Sequence, residues 1–144
     1  LPLAADDGLG PILAAGRRAA LAFHQHVGAA EHLVSLLAPE TDIVVYAPAA
    51  ASVAALDAAS AAVFQAAMDA EADPVFVSLY RLSADRLRRS LPHLGADAEA
   101  ARVLRSVLMK PEHEAWAERL VARLDELARS EFGVRSSEFG SGRV

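Results

Sequence analysis

The hydrophobic positions along this chain follow two different periods, and their alternation predicts the order of its elements. Apolar side chains recur at helical spacing in three segments, at residues 9–37, 52–71 and 111–129, and the polar run SADRLRRS at residues 83–90 predicts a short exposed helix. Short apolar runs, two of them rich in β-branched residues, predict three strands, at residues 41–47, 75–82 and 102–109. This order predicts an α+β fold with a small, mainly antiparallel three-stranded sheet covered by helices and preceded by a long connecting helix.

The length of the first helix predicts how the chain is organised. A helix of about 28 residues is about 42 Å long at 1.5 Å per residue, which exceeds what a domain of this size covers. We therefore expect residues 1–38 to link to a large domain that these 144 residues do not contain, and residues 39–130 to form a small α+β domain. Residues 131–144 have no hydrophobic pattern and are expected to be a disordered tail, derived in part from a vector.

Arg105 is the most informative residue of the third strand. Along this strand Leu104 and Ser106 point to one face, while Val103 and Arg105 point to the other. A guanidinium group cannot be deprotonated and is costly to bury alone, so it requires water, a carboxylate or a second protein surface. Spacing alone leaves two interpretations open, a carboxylate-binding arginine or an arginine whose head lies in water over an open sheet face.

Composition and charge exclude several classes of function. The net charge is −5 and no long basic run occurs, which argues against nucleic acid or an anionic membrane as a partner. The chain has no cysteine, so it holds neither disulfides nor thiolate zinc sites, and this agrees with a cytoplasmic location. No apolar run approaches the roughly 20 residues that cross a bilayer.

Other polar groups have simpler explanations than a site. The histidine and acidic residues of the first helix lack metal-ligand spacing and are expected to face solvent, at His24, His26, Glu31 and His32. The basic cluster after the second strand is expected to be a solvated helical face, at Arg86, Arg88 and Arg89. The Glu112–His113–Glu114 run fits a helix start, and Trp116 fits the core of the last helix. Lys110, the only lysine, follows a strand end and lacks the pocket that a Schiff-base lysine requires.

Three segments together resemble a known family. The run VLRSVLMKPEHE resembles the strand, Asn-Pro turn and final helix of the C-terminal domain of pyridoxal-phosphate-dependent amino-acid decarboxylases of fold type I, the relatives of glutamate and aromatic-amino-acid decarboxylase. The run TDIVVYAP resembles the first small-domain strand of that family, and residues 9–37 resemble the helix that leaves its large domain. Lys110 stands where the family commonly has asparagine, and the connection between the last two strands is longer than usual.

The resemblance implies that the chain is part of a longer lyase. In such a parent, which is a homodimer, pyridoxal phosphate supplies the chemistry of decarboxylation and the arginine at the position of Arg105 binds the carboxylate of a small amino-acid substrate. The lysine that carries the cofactor belongs to the large domain, so the 144-residue chain alone is expected to be inactive, with no catalytic, cofactor-binding or metal-binding residue of its own. The alternative is a free-standing α+β module that binds a small acid or a partner through the face around Arg105, or that forms dimers through its long helix.

Overall fold

The computed structural model describes the backbone of residues 8–139 and the side chains of residues 8–131. Four helices and four strands alternate along the described chain: α1 Leu9–Ala29, β1 Leu33–Ser35, β2 Ile43–Pro48, α2 Val53–Asp69, β3 Ser78–Ser83, α3 Ala84–Ser90, β4 Ala100–Val107 and α4 His113–Phe139. The four strands form one sheet in the order β1-β2-β4-β3, and every neighbouring pair is antiparallel. The predicted α+β class is therefore confirmed, with four strands instead of the expected three.

The first helix ends earlier than the hydrophobic pattern predicts. The α1 helix stops at Ala29, because the next residue adopts an extended backbone that no longer continues the helical hydrogen bonds. Residues 33–35 then form β1, which pairs with the end of β2 through Val34 opposite Ala47. The prediction of one helix through residue 37 was wrong, since a three-residue strand is too short to show a period of two that would distinguish it from a helical turn.

Three helices cover one face of the sheet and form the main core. Phe23 of α1, Tyr46 of β2, Leu104 of β4 and Leu124 of α4 meet there and are almost completely buried. The α1 helix approaches the end of β4 so closely that a Cβ atom added at Gly16 would lie 3.1 Å from the carbonyl oxygen of Leu108. Burial of this face supplies most of the hydrophobic stabilisation of the domain.

The opposite face of the sheet is only half covered. At one end a second buried cluster joins Ala101 and Val103 of β4 to three leucines in and after α3, namely Leu87, Leu91 and Leu94. At the other end the same face holds Arg105 and its neighbours without a covering helix among the described residues. We call this uncovered half the Arg105 face and define it by Ile43, Val45, Ser78, Tyr80, Arg105 and Val107.

Local signals in the sequence account for most of the other element ends. The Ser52 hydroxyl accepts a hydrogen bond from the Ala55 N–H at 3.3 Å and caps α2. The last helix, however, continues ten residues past its predicted end at Arg129, to Phe139, into the segment expected to be a disordered tail. Residues 140–144 of that expected tail lie outside the described residues. No described helix combines the length and hydropathy needed to span a bilayer.

Candidate functional site

The Arg105 side chain lies on the uncovered face, in a row that crosses three strands. In the sheet register Arg105 of β4 stands opposite Val45 of β2 on one side and Ser78 of β3 on the other. Leu104 points to the opposite face and is fully buried in the core. This alternation agrees with the orientation predicted from the sequence, and it makes Arg105 the only arginine at the centre of the described sheet on this face.

Two neighbours on β3 hold the guanidinium group in place. The Arg105 Nε–H donates to the Ser78 hydroxyl oxygen at 3.0 Å, and that hydroxyl donates in turn to the Arg105 carbonyl oxygen at 3.1 Å. The guanidinium carbon lies 5.9 Å from the centre of the Tyr80 ring, which is within the range of a cation–π contact. These contacts fix the stem and one edge of the group, so its orientation is set before a ligand arrives.

The terminal nitrogens of Arg105 have no carboxylate partner among the described side chains. Among the side chains of residues 8–131 no ion pair involves Arg105, and its only side-chain hydrogen bond uses Nε. The two terminal nitrogens of a guanidinium carry N–H groups that can bind both oxygens of a carboxylate at once. A half-buried, permanently charged and oriented group of this kind is suited to binding an anion.

The surface around Arg105 is apolar and partly exposed. Ile43 is 38% exposed and Tyr80 is 47% exposed, while Val45 and Val107 are half-buried. A hydrophobic surround lowers the local dielectric constant once it is covered, which strengthens an ionic contact made within it. The Arg105 face therefore combines a cation with an apolar surface that stays in contact with water until another domain or molecule covers it.

Arg102, three residues earlier on β4, shows what a purely structural arginine does in the same strand. Its Nε and Nη2 atoms donate to the two oxygens of Asp57 on α2 at 2.9 and 2.6 Å, and its backbone N–H donates to the same carboxylate at 2.7 Å. These hydrogen bonds lower the pKa of Asp57 to about 2 and raise the pKa of Arg102. Arg102 is thus neutralised within the chain, whereas Arg105 is not.

The histidines of the N-terminal region are less exposed than the sequence suggests. His24 and His26 are half-buried, and His24 Nδ1 is hydrogen-bonded to the Ser35 hydroxyl at 2.7 Å. His32 follows α1 and pairs with Asp125 of α4, with 3.3 Å between Nδ1 and Oδ2, while its backbone N–H donates to the other oxygen of Asp125 at 2.7 Å. Glu31 is exposed as expected, but the expectation of solvent-facing side chains was wrong for His24 and His32, because Ser35 of β1 lies against His24 and Asp125 of α4 lies against His32.

The remaining charged candidates are surface groups. Arg86, Arg88 and Arg89 are exposed on α3, as expected of a solvated helical face. The Glu114 carboxylate accepts a hydrogen bond from Arg18 Nε at 3.1 Å, which links α4 to α1. Across the described residues, no group of three histidine, aspartate or glutamate side chains is close enough to hold a metal ion.

The described residues do not fit pyridoxal phosphate. The only lysine, Lys110, is exposed at the turn before α4, and no acidic residue lies beside it in the cleft that it borders. The cofactor needs a buried lysine, a partner for its ring nitrogen and a phosphate-binding loop, and none of these is found between residues 8 and 131. The described residues therefore do not hold that cofactor. They take part in its chemistry only if they approach a cofactor that is bound by another part of the protein.

Comparisons with known proteins do not assign the chain to a family. Neither the protein-family models nor the curated proteins contain a match to this sequence. The identification of the domain consequently depends on the segments around Arg105 and on the geometry described above.

Proposed function

We propose that this chain is the C-terminal small domain of a pyridoxal-phosphate-dependent amino-acid decarboxylase, and that Arg105 binds the carboxylate of the substrate. The observation that supports the proposal most strongly is an oriented arginine, free of acidic partners among the described side chains, at the centre of a half-uncovered sheet face. The parent lyase is a cytoplasmic homodimer in this proposal, and its large domain carries the cofactor and the lysine.

The Arg105 face is the surface that the large domain covers in this proposal. Its most exposed apolar side chains are Ile43 and Tyr80. Covering such a surface releases water from apolar side chains and places Arg105 at the domain boundary, where a substrate can reach it. The helices α1, α2 and α4 cover the other face of the sheet and keep the small domain folded.

The chemical role of Arg105 follows from its shape. A bidentate guanidinium fixes both the position and the plane of a carboxylate, whereas a lysine ammonium supplies only a point charge. Ser78 holds Nε in this role, so that the two terminal nitrogens stay available to the substrate. Arg105 therefore positions the substrate and takes no part in proton transfer.

Kinetics of the parent enzyme test this role. In the parent enzyme Arg105→Lys should raise KM about tenfold or more, since a charge-assisted hydrogen bond contributes about 1.5–3 kcal/mol, and it should leave the cofactor absorbance unchanged. Arg81→Lys is the matched control, because Arg81 is exposed on β3 and points to the other face. Unchanged KM in Arg105→Lys, or an equal change in Arg81→Lys, would contradict the carboxylate role.

A further inference from the structure

The cleft that Lys110 borders lies on the helix-covered side of the sheet, opposite the side to which Arg105 points. It has a volume of about 410 Å³ and runs between the end of β4, the first turns of α4 and residues 74–76 before β3. Ser106 of β4 and Leu108, which directly follows β4, line the cleft, and both alternate with Arg105 and so point to the other face. Val107 of the Arg105 face also borders the cleft, whereas Arg105 itself does not. The cleft is therefore distinct from the proposed substrate site at Arg105.

The inner part of the cleft is apolar and aromatic. Phe23 of α1 forms its floor and is almost completely buried, while Phe76 and Trp116 stand at its rim with 75% and 54% of their surfaces exposed. Large aromatic side chains of this kind rarely remain so exposed on both sides of a cleft without a partner surface. Pockets for small molecules range from about 300 to 1,000 Å³, so this volume accepts one aromatic ring with a short substituent.

The lining of the cleft contains one cationic side chain, one histidine and no carboxylate. Lys110 and His113 stand where β4 turns into α4, and no carboxylate belongs to the lining. This is unusual in a chain whose net charge is −5 and whose only lysine is Lys110. The charge of the cleft is complementary to an anion and unfavourable to a cation.

Local hydrogen bonds fix the orientation of the polar side chains that line the cleft. The Lys110 backbone N–H donates to Nδ1 of His113 at 3.4 Å, so a neutral His113 ring carries its proton on Nε2 and presents that atom as a donor. On the opposite wall the Ser106 hydroxyl is hydrogen-bonded to the Tyr46 hydroxyl at 2.9 Å. Burial raises the pKa of Tyr46, so this wall adds no negative charge at neutral pH.

We propose that this cleft binds a small aromatic monocarboxylate, with the ring between Phe23, Phe76 and Trp116 and the carboxylate at Lys110 and His113. An apolar floor with two cationic or N–H-donating groups at one end matches the two ends of such a molecule. An aromatic amine has the same ring with the opposite charge and is repelled by the same groups.

Trp116 provides the signal for a direct test, because it is the only tryptophan in the chain. The protein is titrated with phenylacetate, and binding is followed by Trp116 fluorescence, with N-acetyltryptophanamide as the control for quenching in free solution. Phenethylamine and 2-phenylethanol serve as the cationic and neutral analogues with the same ring. We expect saturable binding of phenylacetate, weaker binding of the alcohol and the weakest binding of the amine.

Variants test the assignment of the carboxylate end. Lys110→Gln and His113→Gln should each weaken phenylacetate binding about threefold to fivefold, the effect of losing one partly exposed ionic contact, and should leave 2-phenylethanol binding unchanged. Arg89→Gln removes a positive charge from the exposed α3 helix and is the matched control, with no expected effect. Circular dichroism verifies that each variant is folded.

Three results would overturn the inference. These are a fluorescence change that does not saturate, equal affinity for phenylacetate and phenethylamine, and unchanged phenylacetate affinity in both Lys110→Gln and His113→Gln. None of these results bears on Arg105, since that residue lies on the other face of the sheet. The test therefore fails or succeeds separately from the proposed decarboxylase function.

Discussion

Replacing Asp57 by asparagine tests how α2 is fixed to the sheet. Asp57 accepts three hydrogen bonds from Arg102, one from the backbone N–H and two from the guanidinium group. The backbone bond matters because β2 pairs with β4 only as far as Leu104, so the N–H of Arg102 has no strand partner in β2. The Asp57 side chain therefore completes the hydrogen bonding of β4 beyond the end of its neighbour.

The expected loss of stability follows from these contacts. Hydrogen bonds to charged groups contribute about 1.5–3 kcal/mol, but exposed ion pairs contribute only about 0.2–1 kcal/mol. The Asp57 and Arg102 side chains are 29% and 46% exposed, so solvent screens part of the interaction. We expect Asp57→Asn to lower the free energy of unfolding by about 1–2 kcal/mol, which corresponds to a fall in Tm of about 3–8 °C.

The pH dependence separates this interaction from general effects of the substitution. The pKa of Asp57 falls from 3.8 to about 2 on folding, so the unfolded state binds the proton more readily than the folded state. The stabilisation by the ionised carboxylate is therefore fully present above pH 3.8 and is lost as the pH falls toward about 2. Urea unfolding of wild type and Asp57→Asn should show a constant difference near neutral pH that shrinks over this acidic range.

The control is Glu71→Gln, which removes one negative charge at an exposed position after α2. We expect this variant to match wild type within about 0.5 kcal/mol. Equal stability of Asp57→Asn and Glu71→Gln, or a difference between wild type and Asp57→Asn that is independent of pH, would refute the role assigned to Asp57.

Two further stability predictions use thermal unfolding. Gly28→Ala should raise the free energy of unfolding by about 0.5–1 kcal/mol, because a Cβ atom added there, near the end of α1, meets no atom within 4 Å. Gly16→Ala should give no gain, because a Cβ atom added there would lie 3.0 Å from Asp42 Cβ and 3.1 Å from a backbone oxygen. An equal gain in both variants would contradict the close approach of α1 to β4. Ser60→Ala should stabilise the protein by up to about 1 kcal/mol, since the buried hydroxyl of Ser60 lacks a hydrogen-bond partner among the described residues. A loss of stability in this variant would indicate that the hydroxyl has a hydrogen-bond partner.

The sequence predicts those features that depend on neighbouring residues. Ser52 is a local capping signal, and the start of α2 follows from it. The alternation of side chains through Leu104 and Arg105 is also local, and it determines the sheet face to which Arg105 points. The first helix shows the limit of this reasoning, because residues 33–35 satisfy both a helical period and a strand. Only the pairing of Val34 with Ala47, across the connection of residues 36–42, decides between the two.

The contacts of the site depend on residues far apart in the chain and were not predictable from spacing. Ser78 meets Arg105 across 27 positions, and His32 meets Asp125 across 93. The covering of the other end of this side of the sheet was also unexpected, because it depends on leucines in and after α3 that fold back over Val103. The alternation of the strand could predict that Arg105 lies on a sheet face, but only the fold shows that Ser78 orients it and that no described carboxylate neutralises it.

The central claim is that these residues form the small domain of a larger decarboxylase, and the mass of the native gene product tests it most directly. The product is isolated from its own source, reduced with borohydride to fix any cofactor to its lysine, and analysed by mass spectrometry. We predict a chain several times longer than these 144 residues, with the pyridoxyl group on a lysine other than Lys110. A native product of 15.2 kDa without a pyridoxyl group would contradict the claim and favour a free-standing module.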